Sequence, residues 1–235
     1  MIRKSFFAVL SFILLFSVVV MQVQAEQLEP KEVKSPAGQK LSGIVSISAN
    51  SFRANDVSSN DYNLFAWIKG NKFGGGVNIT TNPESNYLDA KIFGSYLVKE
   101  IQNGSIIGIA GISSDSNGED YIQTGAWTVK SFMDEKLNLF VDTSVYWSIS
   151  GSAESYLDAF GELTYSFTPK ISAGPVVTYD WWWKNNHHNL SAGLIGYYAI
   201  SEKVSIFGRY MPEVDMEGRH RDVGHRLKGG IQIIL

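Results

Sequence analysis

From residue 41 to the C-terminus, apolar residues recur at every second position, and no stretch of this region holds a helical period. The clearest runs are Leu88, Ala90, Ile92, Gly94, Tyr96 and Val98; then Leu137, Leu139, Val141, Val145, Trp147 and Ile149; then Leu157, Ala159, Gly161, Leu163, Tyr165 and Phe167. Between them stand Asp89, Lys91 and Ser95, then Asn138, Asp142 and Ser144, then Asp158, Glu162 and Ser166. A period of two places alternate side chains on opposite faces of a strand, so each segment has one apolar and one polar face. Soluble strands are mostly about five or six residues long. Several of these segments run past ten residues, and about 9–11 is what a tilted strand needs to cross a bilayer.

The pattern predicts twelve strands, at 41–53, 61–69, 72–80, 87–99, 105–113, 121–131, 137–149, 156–167, 171–181, 188–200, 204–211 and 223–235. Short connections at 70–71, 103–104, 133–136, 168–170 and 201–203 alternate with longer ones at 55–60, 81–86, 114–120, 151–155, 182–187 and 212–222. Short turns at one rim and longer loops at the other are the signature of a transmembrane antiparallel up-and-down β-barrel, and an even strand count returns both termini to one side. The expected fold class is therefore all-β, with about twelve strands. Segments 61–69 and 204–211 are the weakest, and their loss to loops would leave ten; a soluble all-β protein is the competing architecture.

In the last segment Leu227, Gly229, Ile231, Ile233 and Leu235 share one parity and Arg226, Lys228, Gly230 and Gln232 the other. The final eight residues, Lys228 to Leu235, resemble the C-terminal insertion signal of outer-membrane barrels, which reads polar, any, Gly, any, any, apolar, any, apolar or aromatic. Leu235 stands where an aromatic is usual. This resemblance implies the outer-membrane insertion machinery as a partner.

Composition narrows the class. The 235 residues are 44% hydrophobic and 18% charged and include no cysteine, which excludes a disordered chain and a disulfide scaffold. One apolar stretch is long enough for a membrane helix, from Phe6 to Met21 after Arg3 and Lys4. Followed by Val23-Gln24-Ala25, it has the layout of a secretory signal peptide cleaved after Ala25, with an uncleaved anchor as the alternative. Residues 26–40, with Pro30, Pro36 and Gly38, read as a flexible periplasmic lead-in, and 41–235 as the barrel. Removal of Arg3 and Lys4 with the signal leaves 18 basic and 23 acidic residues, a net charge of -5, so no nucleic-acid footprint is expected.

If the apolar parity meets lipid, where charge is costly, the other parity lines the lumen. It would carry Lys69, Lys91, Lys130, Arg209, Arg226 and Lys228 against Asp89, Asp142, Asp158, Glu162 and Asp180. Acids gather on the seventh to ninth segments and bases on the last two, an arrangement that sets a transverse field across a pore. Twelve strands favour an open lumen; the alternative is that these charges pair and fill the interior. Trp181, Trp182 and Trp183 end the ninth segment, either as an aromatic girdle at the interface or as a stacking platform at the pore mouth. His187, His188, His220 and His225 fall in or beside the last two long connections without a fixed metal-ligand spacing, so no metal or other cofactor is expected. His188 and Ser191 are three apart, with opposite parity, so no catalytic triad and no enzyme is expected. Gly74-Gly75-Gly76 lacks the lysine and helix of a phosphate loop and reads as a site of close packing.

Mature length, strand number and the polar lead-in resemble the oligogalacturonate-specific porin family (the KdgM type), small monomeric outer-membrane channels for acidic oligosaccharides. The ending of that family, Arg-aromatic-Arg-x-Gly-x-x-aromatic, is similar to Arg226-Leu227-Lys228-Gly229-Gly230-Ile231-Gln232-Ile233. The resemblance implies a monomeric porin in the bacterial outer membrane, in contact with lipid and lipopolysaccharide, passing small polar solutes or oligosaccharides. Lys69, Lys91, Lys130, Arg209, Arg226 and Lys228 would be its anion guides. The family's lumen is rich in basic residues, whereas this one is mixed. The alternative is a closed barrel whose outer loops bind a partner or a surface polysaccharide; a barrel lipase or deacylase ranks below both. N-terminal sequencing of the exported protein is expected to start at Glu26; a start at Met1 would show an uncleaved anchor.

Overall fold

Alternation of this length generates strands of 10 to 15 residues. In the computed structural model, residues 42–54, 57–151, 153–215 and 223–235 are described; the expected signal peptide and lead-in lie outside them. The strands are β1 (Ser42–Ala54), β2 (Val57–Lys69), β3 (Phe73–Asn82), β4 (Tyr87–Ile101), β5 (Gly104–Asp115) and β6 (Asp120–Phe132), followed by β7 (Leu137–Ser148), β8 (Tyr156–Ser166), β9 (Ile171–Trp182), β10 (His187–Ala199), β11 (Val204–Asp215) and β12 (Val223–Ile234). Each pairs antiparallel with its sequence neighbours, and β1 pairs with β12, from Ile44 opposite Ile234 to Arg53 opposite His225. The sheet is a closed barrel of twelve strands. Closure removes the two edges whose unpaired amides and carbonyls hydrocarbon could not satisfy.

Both weak segments are full strands, so ten is excluded. β2 starts four residues before its predicted start and β11 continues from 211 to Asp215. The predicted contrast between rims shrinks accordingly. Connections at 83–86, 116–119 and 183–186 have four residues each, and only 149–155 and 216–222 reach seven among those bounded by strands at the loop rim. The opposite, terminal rim turns at 70–72, 102–103, 133–136, 167–170 and 200–203. Alternation of hydrophobicity ends where lipid ends, but the ladder does not, because every further cross-strand pair still satisfies backbone donors and acceptors in water. The turns use left-handed residues, with Asn86, Asn103 and Asn186 at φ between 51° and 56°, where asparagine is tolerated. A bulge between Leu97 and Lys99 shifts the register of β4 on β5 near the terminal rim, bending the strand there.

The outward face is the apolar parity. Ile47, Leu64, Val98, Leu194, Leu227 and Ile231 are all exposed on it, Leu194 to 67%. Such a contiguous apolar surface on a closed wall is stable only against lipid. The buried residues, among them Phe93, Ile109, Trp127 and Val176, lie inside the ring. Leu194→Arg, mid-strand on the outward face, is expected to lower folding stability in phospholipid vesicles by about 2–4 kcal/mol, measured by denaturant titration with a heat-modifiability gel as readout of the folded barrel.

Candidate functional site: the barrel lumen

Cross-strand register decides which side chains share the interior. Opposite residues on antiparallel neighbours point to the same face. The chain of pairs Asn78–Lys91, Asp142–Phe160, Asp158–Asp180, Ile195–Arg209 and Arg209–Lys228 therefore places all of these inside. Lys69, Asp89, Glu162 and Arg226 fall on the same inward parity, Lys69 at the terminal rim. Lys130 does not. It pairs with Leu139 on the outward face, and its ammonium sits 4.9 Å from the centroid of Phe132, two residues along. Its strand has aromatic and β-branched residues on both parities, so the greasy face of that segment is ambiguous from the sequence. At the rim the lysine reaches the interface rather than the lumen.

A bar of rings runs across the interior. Trp127 of β6 meets Trp67 of β2 edge-on at 5.5 Å, Phe93 of β4 at 5.3 Å and Phe140 of β7 at 6.3 Å, and Phe65 of β2 stacks on Phe93 at 6.0 Å. Phe140 continues to Phe160 of β8 at 5.9 Å, and the Arg209 guanidinium of β11 lies 5.3 Å from that ring. The bar thus links strands three and more positions apart around the ring, with Ile107, Ile109 and Leu97 packed beneath it. Glycine makes the room: a Cβ on Gly76 would stand 2.6 Å from the Phe93 ring. Hydrogen bonds hold it, Trp67 Nε1 donating to Ser95 Oγ at 2.9 Å. A second buried group, Val176, Ile195 and Met211, packs with Phe160 and Tyr197 on the facing wall.

The charges sit around this bar and not within it. Lys91 is 3.9 Å from Asp89, donates to the Tyr146 hydroxyl at 3.4 Å and lies 4.4 Å from that ring's centroid. It also lies in the field of Asp142 and Asp158. Gln123 donates to Ser144 at 3.0 Å and Ser144 to Asp142 at 2.8 Å. Tyr197 donates to Glu162 at 3.0 Å, and the Arg226 guanidinium lies 5.8 Å from the Phe52 centroid. Arg209, Arg226 and Lys228 are neighbours on β11 and β12, and Arg209 lies in the field of Glu162 and Asp158. Even so Lys91 and Asp89 stay 18% and 15% exposed in the loop-rim half of the wall, Asp89 opposite Asp115 at the end of β5.

The three tryptophans divide. β9 continues through Trp182, so Trp181 and Trp183 point outward and Trp182 inward. Trp182 stacks on Tyr156 at 5.7 Å, which stacks on Tyr146 at 4.6 Å, while His187 tilts over Trp182 at 5.3 Å. These faces are engaged by each other, which makes the ladder a stiffening element of the wall more than an open platform for a ring. Outside, Trp183 meets Trp147 and Trp181, as an interfacial girdle does. His188 is outward and Ser191 inward, so they form no dyad; His220 lies outside the described residues.

The sequence reading missed the aromatic bar and two inward acids, Asp61 and Asp115, which pair with Asn50 and with Asp89. Asp61 stands at the very start of the predicted second segment and Asp115 beyond the end of the fifth, where the alternation no longer marks a face. The bar was lost because Phe65, Trp67, Phe93 and Trp127 sit on the polar parity. An apolar ring at a position predicted to be wet was itself the available signal.

A closed antiparallel wall with an apolar outside and a lined inside defines a transmembrane barrel. The sequence matches no protein-family model and no curated protein. Its fold is similar to solved outer-membrane channels. It superposes on the KdgM porin with a TM-score of 0.62 at 14% identity, covering 80% of this chain and 98% of that one. The same porin in complex with disordered oligogalacturonate gives 0.60 at 14%, with the same coverage. The NanC porin gives 0.61 at 11%, covering 80% and 98%.

Trp127→Ala removes the hub of the bar. It is expected to cost about 3–5 kcal/mol of folding stability and to raise unitary conductance in a planar bilayer above that of the parent barrel. An unchanged conductance would show that the narrowest cross-section lies elsewhere.

Proposed function

We propose that the protein is a narrow outer-membrane channel for passive diffusion of small polar solutes. The observation that carries this reading is the partial exposure of inward charged groups in the loop-rim half of the wall, Lys91 at 18% and Asp89 at 15%. Ions so placed stay stable because water reaches them, so the lumen beside the aromatic bar is hydrated. The bar narrows it to one side, and opposed acids and bases line what remains. The similar fold of solved porins supports the same reading. Export by a cleaved signal and a monomeric barrel belong to it. No bond chemistry is involved: flux depends on size, on the field across the constriction and on the cost of stripping water from the solute.

The lining favours cations. Asp61, Asp89, Asp115, Asp142, Asp158, Glu162 and Asp180 face Lys69, Lys91, Arg209, Arg226 and Lys228 on the inward parity. Carboxylates outnumber cationic groups, so a polyuronate chain such as the oligogalacturonate bound by the KdgM porin would meet repulsion along most of its path. We assign neutral or cationic small solutes instead. The reading of a closed barrel that works through its outer loops is weakened by the loops themselves, two of which reach seven residues.

Single-channel recording of the refolded protein in a planar bilayer tests this. Steady conductance is expected, with a reversal potential in a KCl gradient of the sign for K⁺ preference, and Asp158→Asn with Asp180→Asn is expected to move it toward chloride. Silence from protein shown to be folded and inserted would overturn the channel reading.

A further inference from the structure

The outward wall of β11, β12, β1 and β2 carries a hollow beneath a polar rim. Reading down from the loop rim, the first layer holds Arg53 opposite His225 and Pro212. The next holds Ser51, Leu227 and Tyr210, the next Ala49, Gly229 and Gly208, and the next Ile47, Ile231 and Ile206. The third layer is without bulk on four consecutive strands, Gly196 of β10 standing opposite Gly208. It forms the floor of a cavity of about 370 Å³, lined among others by Ala49, Ser51, Tyr62, Gly208, Leu227 and Gly229. A polar, cationic cap thus stands directly above a hollow in an apolar surface.

The cap is chemically poised. The Tyr210 hydroxyl is 2.8 Å from His225 Nδ1 and its ring stacks on the imidazole at an interplanar angle of 12°. With the hydroxyl donating to Nδ1, the other ring nitrogen carries the hydrogen and is a donor. A second outward pair at the same rim shows what a closed arrangement looks like. The Tyr179 hydroxyl is 2.6 Å from His188 Nδ1, but there Nε2 is 3.3 Å from Asn186 Oδ1 and the ring is stacked on Trp181. No such acceptor meets His225 Nε2 among the described residues. Nor does any carboxylate among the described residues pair with Arg53. Arg53 and His225 are direct partners across the β1–β12 seam, and a guanidinium together with an imidazole N–H matches the oxygens of a phosphate monoester.

We propose that this patch binds one phosphorylated, multiply acylated glycolipid of the outer leaflet. A headgroup phosphate would sit on Arg53 and His225, and an acyl chain would occupy the hollow over Ala49, Gly208 and Gly229. The occupant follows from the layering: charge complementarity at the interfacial rim and an apolar hollow immediately below it, on a wall that faces lipid. The site is independent of what passes through the lumen. It rests on the outer-membrane reading only for the leaflet that supplies the lipid.

Native mass spectrometry of the full-length exported protein, refolded in detergent and titrated with diphosphorylated lipid A or with its dephosphorylated form, tests the proposal. The parent is expected to hold one lipid and to prefer the phosphorylated form about tenfold, as one strong charge-assisted contact provides. Arg53→Gln with His225→Ala is expected to abolish the preference while keeping weak binding of both forms. Gly208→Leu is expected to weaken both forms alike; a Cβ at Gly208 meets nothing within 4 Å, so the larger side chain fills the hollow and not the wall. Gly161→Leu, an outward position on β8 whose Cβ would find the Val177 side chain at 3.5 Å, controls for bulk on the belt away from the hollow. Equal binding of both lipid forms by the parent, or parent-like binding by both Arg53→Gln/His225→Ala and Gly208→Leu, would overturn the proposal. Single-channel recording of the same variants reads the pore separately, so that loss of lipid binding and loss of conduction are distinguished. Arg53→Gln alone, expected to reduce the preference in part, serves where the double variant does not refold.

Discussion

A backbone surrounded by hydrocarbon has no water to turn to, and pairing β1 with β12 is what meets that condition here. Ten consecutive partners, from Ile44–Ile234 to Arg53–His225, convert a twelve-stranded sheet with two open edges into one with none. Everything else depends on this seam. The outward parity can be apolar because no edge competes for solvent, and the inward parity acquires a shared interior only once the ring is closed. It also explains why the last strand ends at the rim, with Leu235 donating its amide to Gly43 at 2.9 Å.

Closure then poses a second problem, since a ring of this size must be filled or wetted. The chain fills one sector with rings and lines another with ionised groups. Trp127 and its partners fill the sector between β2 and β8 with rings at 5.3–6.4 Å, an arrangement worth more than its buried area because edge-on contacts use the ring quadrupole. Around them stand ionised groups held by polar contacts, Lys91 to Asp89 and to the Tyr146 hydroxyl and Glu162 to Tyr197. Rigidity in one sector and residual polarity in the other are what a selective passage requires.

The outer surface carries information as well. A uniform aliphatic belt would dissolve in any bilayer, whereas this one has tryptophans massed on one arc, at Trp147, Trp181 and Trp183, and a hollow under a cationic cap on another. Both features lie toward the loop rim, so the barrel presents distinct interfaces to lipid around its circumference.

Period-two alternation by itself determined the strands, their number and nearly all their faces, because a one-residue slip would turn every apolar side chain to the wrong side. Ends drifted only where the ladder outlasted the lipid, as at β2 and β11. The inward placement of Asp142, Asp158, Glu162, Asp180, Arg209, Arg226 and Lys228 was legible for the same reason. Parity was blind to Lys130, whose strand mixes apolar residues on both faces, and to the split of Trp181, Trp182 and Trp183, which needed the true end of β9. It was also blind to distance across the ring. Whether Phe65, Trp67, Phe93, Trp127 and Phe140 line a passage or meet in its middle depends on side chains from strands far apart in sequence. Only the closed tertiary structure brings those within van der Waals reach, because register fixes neighbours along the wall while curvature fixes neighbours across it.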